Sequence, residues 1–412
     1  MSLHADAAAI PLSTDDLALF FEPAHHELAA TLRAAARSIA AAEEVGGDEA
    51  ARDRAAARAL AEHGLFALVA PADGRVSARG LCVARELLGW VSARADSIFA
   101  VQGLGTYPLL LAGSPAQRAQ LPAFAAGRAI AAFALTEPEA GSDVAALATR
   151  ATEDGAGGWR LDGEKIFISN LGVADHAVVF ATVDPAAGRK GITAFWLPLD
   201  APGVEVIAQA PIAPHPLGRL VLRGARVGAD AVIGAVGGGF KLAMQTLDTF
   251  RVSVAAAAVG MARRALHEAT VHVRARRQFG RPLAEQPLVQ AHLADMATAI
   301  DASRLLALRA AHLRDAGAAR TTVEVSMAKL HATEAAQDVI DRAVQLVGGR
   351  GVMHGAVVEH LYRAIRPLRI YEGTSEIQRT IIGKAIADGA TGLSSGTGTG
   401  TGTGTTSDGG RA

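Results

Sequence analysis

The texture of this chain changes twice, and those changes limit the architectures open to it. From about Phe20 to Gly127 apolar residues recur at helical spacing, as in His26-Glu27-Leu28-Ala29-Ala30-Thr31-Leu32-Arg33, where they fall on one stripe. Between Ile130 and Gly239 the pattern becomes short β-rich runs broken by Gly, Asp and Pro: 159–169, 177–183, 192–199, 204–208 and 220–227. After Gly237-Gly238-Gly239 the helical spacing returns and holds to about Ile386, with a segment from Leu242 to Arg276 long enough for a bundle helix. The expected fold is α+β and mostly α. Residues 1–129 form an N-terminal helical domain, 130–239 a middle β-domain built as a small barrel or sandwich, and 240–390 a C-terminal four-helix bundle. Residues 391–412 are Gly-Thr repeats with nothing to bury, read as a disordered tail.

Charge and cysteine usage narrow the function classes. Forty Lys and Arg stand against 41 Asp and Glu, so the chain lacks the basic surplus of a nucleic-acid binder. The single Cys82 rules out a disulfide framework within the chain and fits a reducing compartment. Met1-Ser2-Leu3-His4-Ala5-Asp6 lacks the basic start and apolar core of a signal peptide, and no later run approaches the ~18 apolar residues of a membrane span. A cytoplasmic protein without membrane insertion is the expectation.

Several motifs fail on inspection. In Gly237-Gly238-Gly239-Phe240-Lys241, phenylalanine interrupts the Gly-Lys-Ser/Thr order that a phosphate-cradling loop needs. Gly348-Gly349-Arg350-Gly351 lies between helical segments, where a dinucleotide fingerprint would follow a strand. No His-Glu-x-x-His or cysteine pair occurs, so no metal is expected, and no Gly-x-Ser-x-Gly elbow offers a hydrolase nucleophile. What stands out is Ile370-Tyr371-Glu372-Gly373-Thr374-Ser375-Glu376-Ile377-Gln378-Arg379, which sets one carboxylate on a glycine-bearing turn before an apolar helix. Glu372 there reads either as a desolvated general base or as a solvated acid ahead of a helix capped by Thr374 or Ser375.

A second constellation, Ala134-Leu135-Thr136-Glu137-Pro138-Glu139-Ala140-Gly141-Ser142-Asp143, opens the β-region. Between the two stand Lys165-Ile166-Phe167-Ile168-Ser169-Asn170, Arg276-Arg277-Gln278-Phe279-Gly280 and Gln345-Leu346-Val347-Gly348-Gly349-Arg350-Gly351. Together, over roughly Leu17 to Ala387, these resemble the signature regions of the acyl-CoA dehydrogenases, flavoenzymes that oxidise acyl-CoA thioesters between Cα and Cβ.

The resemblance implies FAD as cofactor and Glu372 as the base that takes the α-proton, the β-hydride going to the flavin to give a trans-2-enoyl-CoA in fatty-acid β-oxidation. Phe133, Leu135, Thr136, Ser142, Phe167 and Ser169 are implied at the flavin, with Thr374 and Glu376 beside it. Arg276, Gln278, Phe279, Gln286, Gln345, Gly348 and Gly349 are implied to reach the adenine end of FAD in a neighbouring subunit, which makes the protein a homo-oligomer, commonly a dimer of dimers. Ser142, Asp248, Phe250, Arg251, Tyr371 and Gly373 are implied at the acyl-CoA, and the stretch from Phe99 to Thr106 at its acyl end. Electron-transfer flavoprotein is the implied acceptor. An acyl-CoA oxidase, or a catalytically silent acyl-CoA-binding member, is the alternative.

Three positions bear on the pattern. Phe250 stands where some members carry the base, so Glu372 has no competitor there. Arg363-Ala364-Ile365-Arg366 lacks the acid usual before the catalytic turn, and His272 replaces a usual tyrosine.

Overall fold

Local caps explain where the helices begin. In this computed structural model, which describes residues 13–318 and 320–389, helix α1 (Pro23–Ala41) starts with a proline in its first turn and a reciprocal cap between Glu22 and His25. Helix α2 (Glu49–Glu62) is capped by Asp48, and α3 (Ala78–Val91) by Ser77, whose hydroxyl accepts from the Gly80 N–H. Ser92 ends α3 in extended backbone and caps α4 (Ala93–Ala112), so two helices meet at one residue. Two short helices, α5 (Pro115–Arg118) and α6 (Leu121–Ala125), lead into the sheet.

Eight strands follow: β1 (Ala131–Ala134), β2 (Arg150–Glu153), β3 (Trp159–Ser169), β4 (His176–Thr182), β5 (Ile192–Pro198), β6 (Val204–Gln209), β7 (Leu217–Val227) and β8 (Val232–Ile233). They form one sheet in the order β6-β7-β3-β2-β4-β5-β8, with β1 lying parallel to β4 off that path. The five runs read from the sequence correspond to β3, β4, β5, β6 and β7. The three others are too short to show alternation. Strands β4 and β5 bury both faces. Val179, Phe195 and Leu197 pack with Leu161, Leu220 and Leu222, whereas Val178, Phe180 and Trp196 face Leu109, Phe124 and Leu242 of the helices. The β-domain is thereby fastened to both helical layers.

The 37-residue helix α7 (Gly239–Ala275) is the spine of the molecule. It packs against α3, against α8 (Pro287–Asp315) and against α9 (Thr322–Val347), with α10 (Val357–Ile365) and α11 (Ser375–Ala387) on α9. The α3–α7 approach is close because both partners are small at the crossing. A Cβ on Gly260 would lie 2.0 Å from the Glu86 carbonyl oxygen, and one on Gly89 would lie 2.3 Å from that of Ala257. The N-terminal layer thus enters the core of the C-terminal bundle, where Cys82 packs with Val254 and Ala258. Among the described residues no helix is long and apolar enough to cross a membrane. The Gly/Thr stretch 391–412 lies outside the described residues.

Candidate active site

The turn ahead of α11 holds two consecutive residues in left-handed backbone, Glu372 at φ 53° and Gly373 at φ 92°. That conformation strains a glutamate, so the surroundings must over-determine it. They do so through the carbonyls. Arg251 Nε of α7 donates to the Glu372 oxygen at 2.9 Å, and Arg251 also pairs with Asp248 at 2.6 Å. Lys329 Nζ of α9 donates to the Gly373 oxygen at 2.7 Å, and Gln378 Nε2 of α11 reaches the same oxygen at 2.9 Å. Thr374 caps α11 by accepting from the Ile377 N–H. The cap reading and the base reading of this segment therefore fall on different residues.

With its backbone fixed, the Glu372 side chain is committed to a cavity of about 230 Å³. Its Oε2 is buried and has no hydrogen-bond partner among the described residues. Burial raises its pKa above the ordinary carboxylate range, opposed by the Arg85, Arg251 and Lys329 cations. Burial likewise lowers the pKa of the fully buried Lys329 to about 8, with Glu372 opposing. The neighbouring Tyr371 hydroxyl is pushed up by burial and stays neutral.

The opposite wall comes from the β-domain. Glu137 accepts from the N–H groups of Ala148 and Thr149 and from Lys165 Nζ at 2.7 Å, and Lys165 also donates to the Leu135 carbonyl at 3.1 Å. Burial alone would raise Glu137, but the Lys165 ammonium and these N–H groups hold it below its ordinary value. This buried pair shapes the loop that brings Leu135, Thr136, Gly141 and Ser142 to the cavity. At the break in pairing between Lys165 and Ile168, Phe167 adopts φ 57° and its backbone N–H donates to Gln209. The bulge turns the ring outward, 61% exposed, at the cavity wall. A large aromatic held out of the core beside the Thr136 and Ser169 hydroxyls fits a planar aromatic cofactor with a polar edge, as an isoalloxazine has.

Of the residues expected at the flavin or substrate, Phe133, Leu135, Thr136, Ser142, Phe167, Ser169, Arg251, Tyr371, Glu372 and Gly373 share this one cavity. Others lie elsewhere. Phe250 is fully buried and does not line it; its ring abuts Gly103 and meets Tyr107 edge-on, so it backs the cavity as core. From α4, Ala100, Val101 and Leu104 line the cavity, while the neighbouring Gln102 turns away to Phe124 and Ala129. Asp248 borders a separate open depression together with Arg314 and Arg320. Glu376 is exposed on the first turn of α11, near Arg379 and outside the cavity. Arg276, Gln278, Phe279, Gln286, Gln345, Gly348 and Gly349 are also outside it. Phe279, 93% exposed, tips a hairpin between β9 (Arg277–Gln278) and β10 (Arg281–Pro282), and Gln345, Gly348 and Gly349 are exposed at the end of α9. The two groups meet around His272, which burial and the adjacent Arg350 and Arg276 cations keep below its usual pKa. Ala364 is buried in the C-terminal core, and its neighbour Arg363 pairs with Glu359.

Among the charged residues of the cavity wall, one was not anticipated from sequence. Arg85 of α3 reaches the wall beside Tyr371, bound to Asp96 of α4. Its signal was a charged pair, Arg85-Glu86, inside the apolar run from Leu81 to Leu88.

A buried carboxylate oxygen without a partner thus shares one cavity with an outward-turned aromatic ring, between the helical layers and the sheet, an arrangement suited to proton abstraction beside a planar cofactor. The comparisons carry this to a family. Family models match all three regions: "Acyl-CoA dehydrogenase, N-terminal domain" over residues 22–128, "middle domain" over 132–224 and "C-terminal domain" over 237–387. The short-chain specific acyl-CoA dehydrogenase, mitochondrial, of Bos taurus is 39% identical over 333 residues, covering 78% of this chain and 80% of its own. A structure described under the electron transferring flavoprotein of Acidaminococcus fermentans aligns with TM-score 0.83 at 30% identity, covering 89% of this chain and 98% of that one. A glutaryl-CoA dehydrogenase from Mycobacterium smegmatis in complex with FADH2 aligns with TM-score 0.82 at 27% identity, covering 92% and 98%. The chain belongs to the acyl-CoA dehydrogenase family, oxidoreductases acting on CH–CH groups with FAD as cofactor.

Proposed function

We propose that this protein dehydrogenates a short-chain acyl-CoA thioester to the trans-2-enoyl-CoA, with Glu372 as the base. The observation that carries this is the unpartnered, buried Glu372 Oε2 on a turn whose carbonyls are locked by Arg251, Lys329 and Gln378. No hydrogen bond among the described residues uses that oxygen, and a buried acid whose pKa is raised makes a stronger base once ionised. FAD, when bound, supplies the hydride acceptor. Thr136 and Ser169 would hold its polar edge, and Phe167 would stack on its ring. The left-handed backbone at Gly373 leaves the space above the turn free of a side chain where the thioester would lie.

A short acyl group follows from the size of the cavity, which must also admit the flavin ring, and from its closed end. There Ala100, Val101 and Leu104 meet Leu247 of α7, with Phe250 filling the space behind them. The similarity to a short-chain specific relative supports the same reading. Electron-transfer flavoprotein is the proposed acceptor, supported by the likeness to the Acidaminococcus structure. The exposed group around His272, with Phe279 bare, is proposed to complete the FAD site of a second copy in a dimer of dimers.

Anaerobic mixing of the FAD-loaded protein with a series from butyryl-CoA to palmitoyl-CoA, followed by flavin absorbance, tests the reaction. Bleaching by the short members in wild type, and its absence in Glu372→Gln, is expected. Bleaching that persists in Glu372→Gln would remove Glu372 as the base. Peroxide release under air at the bleaching rate would replace dehydrogenase by oxidase.

A further inference from the structure

Behind the catalytic turn lies an ion pair that the chemistry described so far does not use. Arg85 and Asp96 are each 1% exposed. The guanidinium donates Nε–H and Nη2–H to the two Asp96 oxygens, both at 2.8 Å, and Nη1–H to Ser253 Oγ at 3.1 Å. Ser253 is itself tied to the Phe250 carbonyl at 2.6 Å. The small-residue crossing of α3 and α7 at Gly89 and Gly260 sets the depth at which Arg85 enters, so its position is fixed by backbone packing as well as by its partners. It borders the same cavity as Tyr371 and Glu372. A buried ion pair is costly to desolvate, and replacing such a pair by apolar residues of similar volume is often neutral or stabilising.

We propose that Arg85, held in place by Asp96 and Ser253, is a positioning residue for the reaction at Glu372: its guanidinium sets a fixed positive charge in the cavity wall behind the base. The proposal rests on Glu372 being that base. The other charged groups packed against the turn hold its backbone or pair with one another. Arg251 is bound to Asp248 and the Glu372 carbonyl, and Lys329 to the Gly373 carbonyl. Glu334 pairs with Arg369 and Ser375, and Glu376 is exposed. Arg85 in the wall that Glu372 shares and Asp96 bound to it carry opposite charges, the Arg85 cation opposing the rise that burial imposes on the carboxyl and Asp96 adding to it. Removing one member or the other should therefore move the base in opposite directions, which a merely structural pair would not do.

The test uses the FAD-loaded protein without thioester. The Glu372 carboxyl is titrated by infrared difference spectroscopy, its band assigned by loss in Glu372→Gln, and the pH profile of anaerobic flavin bleaching by butyryl-CoA is recorded alongside. Arg85→Met is expected to move both midpoints up by about one pH unit. Asp96→Asn should move both down, and Arg85→Lys should stay near wild type. Where either single variant fails to hold FAD, Arg85→Met/Asp96→Asn leaves no unpaired buried charge, and a smaller upward shift is expected. Coincident midpoints in wild type, Arg85→Met and the double variant would overturn the role of Arg85. A wild-type bleaching profile that ignores the Glu372 titration would instead overturn Glu372 as the base, so the two failures are distinguishable.

Discussion

Arg251 and Glu372 lie 121 residues apart in sequence, yet the Arg251 Nε donates to the Glu372 carbonyl at 2.9 Å, joining α7 to the turn that carries the proposed base. The same guanidinium holds Asp248. Lysine keeps the charge but lacks the fork that meets both partners at once. Arg251→Lys should lower the bleaching rate by up to about 100-fold, the scale of an ångström-sized misplacement. Stopped-flow absorbance at equal flavin content checks this; an unchanged rate would mean the turn is held without Arg251.

Gly373 should tolerate no side chain. Its φ is 92°, and a Cβ there would lie 2.6 Å from Gln378 Nε2, displacing the amide that holds the Gly373 carbonyl. Gly373→Ala is expected to cost about 1–3 kcal/mol, read by denaturant unfolding, and to slow bleaching more than it weakens flavin binding. Equal stability would contradict the strained turn.

The Lys165–Glu137 pair should govern cofactor retention. Lys165→Met leaves a carboxylate buried without its cation, at a cost of roughly 3–5 kcal/mol. Loss of flavin during purification is the expected outcome. Lys165→Met/Glu137→Leu should recover stability without recovering full flavin content, because the loop bearing Thr136 and Ser142 loses its anchor. Full flavin in Lys165→Met would show that the loop stands alone.

Phe167→Ala should weaken FAD binding by about tenfold, the scale of one aromatic stacking contact, while leaving the melting temperature of the flavin-free protein unchanged. The ring contributes little to the core, since it is 61% exposed. Fluorescence titration of the flavin-free protein measures the first, and calorimetry the second.

Stability should also report on Glu372. Its pKa is raised in the fold by burial, so between the ordinary carboxylate value and that raised value the native state holds more protons than the unfolded chain. Stability falls as pH rises across that window, and stays lower above it. Glu372→Gln removes this slope. The variant should therefore gain on wild type as pH rises from the acid range to neutrality, while losing bleaching activity. Parallel unfolding curves at acid and neutral pH would refute the burial of an ionisable Glu372.

What could be read from the sequence was what repeats or what is local. A β-rich run of eleven residues made β3 legible from Trp159 to Ser169, and helical spacing marked α7. The four-residue strands β1 and β2 carry too few residues to show a period, and their pairing partners are set by the rest of the sheet. Glu372 could be suspected because its glycine and capping threonine are neighbours. Arg85 could not, because its meaning comes from Asp96 and Ser253 on other helices. The bulge that exposes Phe167 depends on β7, whose register slips opposite it. Phe250, expected at the substrate, lies buried behind the cavity wall because Gly103 on α4 leaves a space its ring can enter.

Helix α7 carries Arg251 at the catalytic turn and, near its far end, His272, beside the patch proposed to serve another copy's cofactor. A rigid helix turns by about 100° and advances about 1.5 Å per residue. Inserting or deleting one residue between those points would leave each end chemically intact but rotate one against the other. The interval therefore acts as a ruler: away from Ser253 and Gly260 its small apolar residues could be exchanged for one another, but its length could not change.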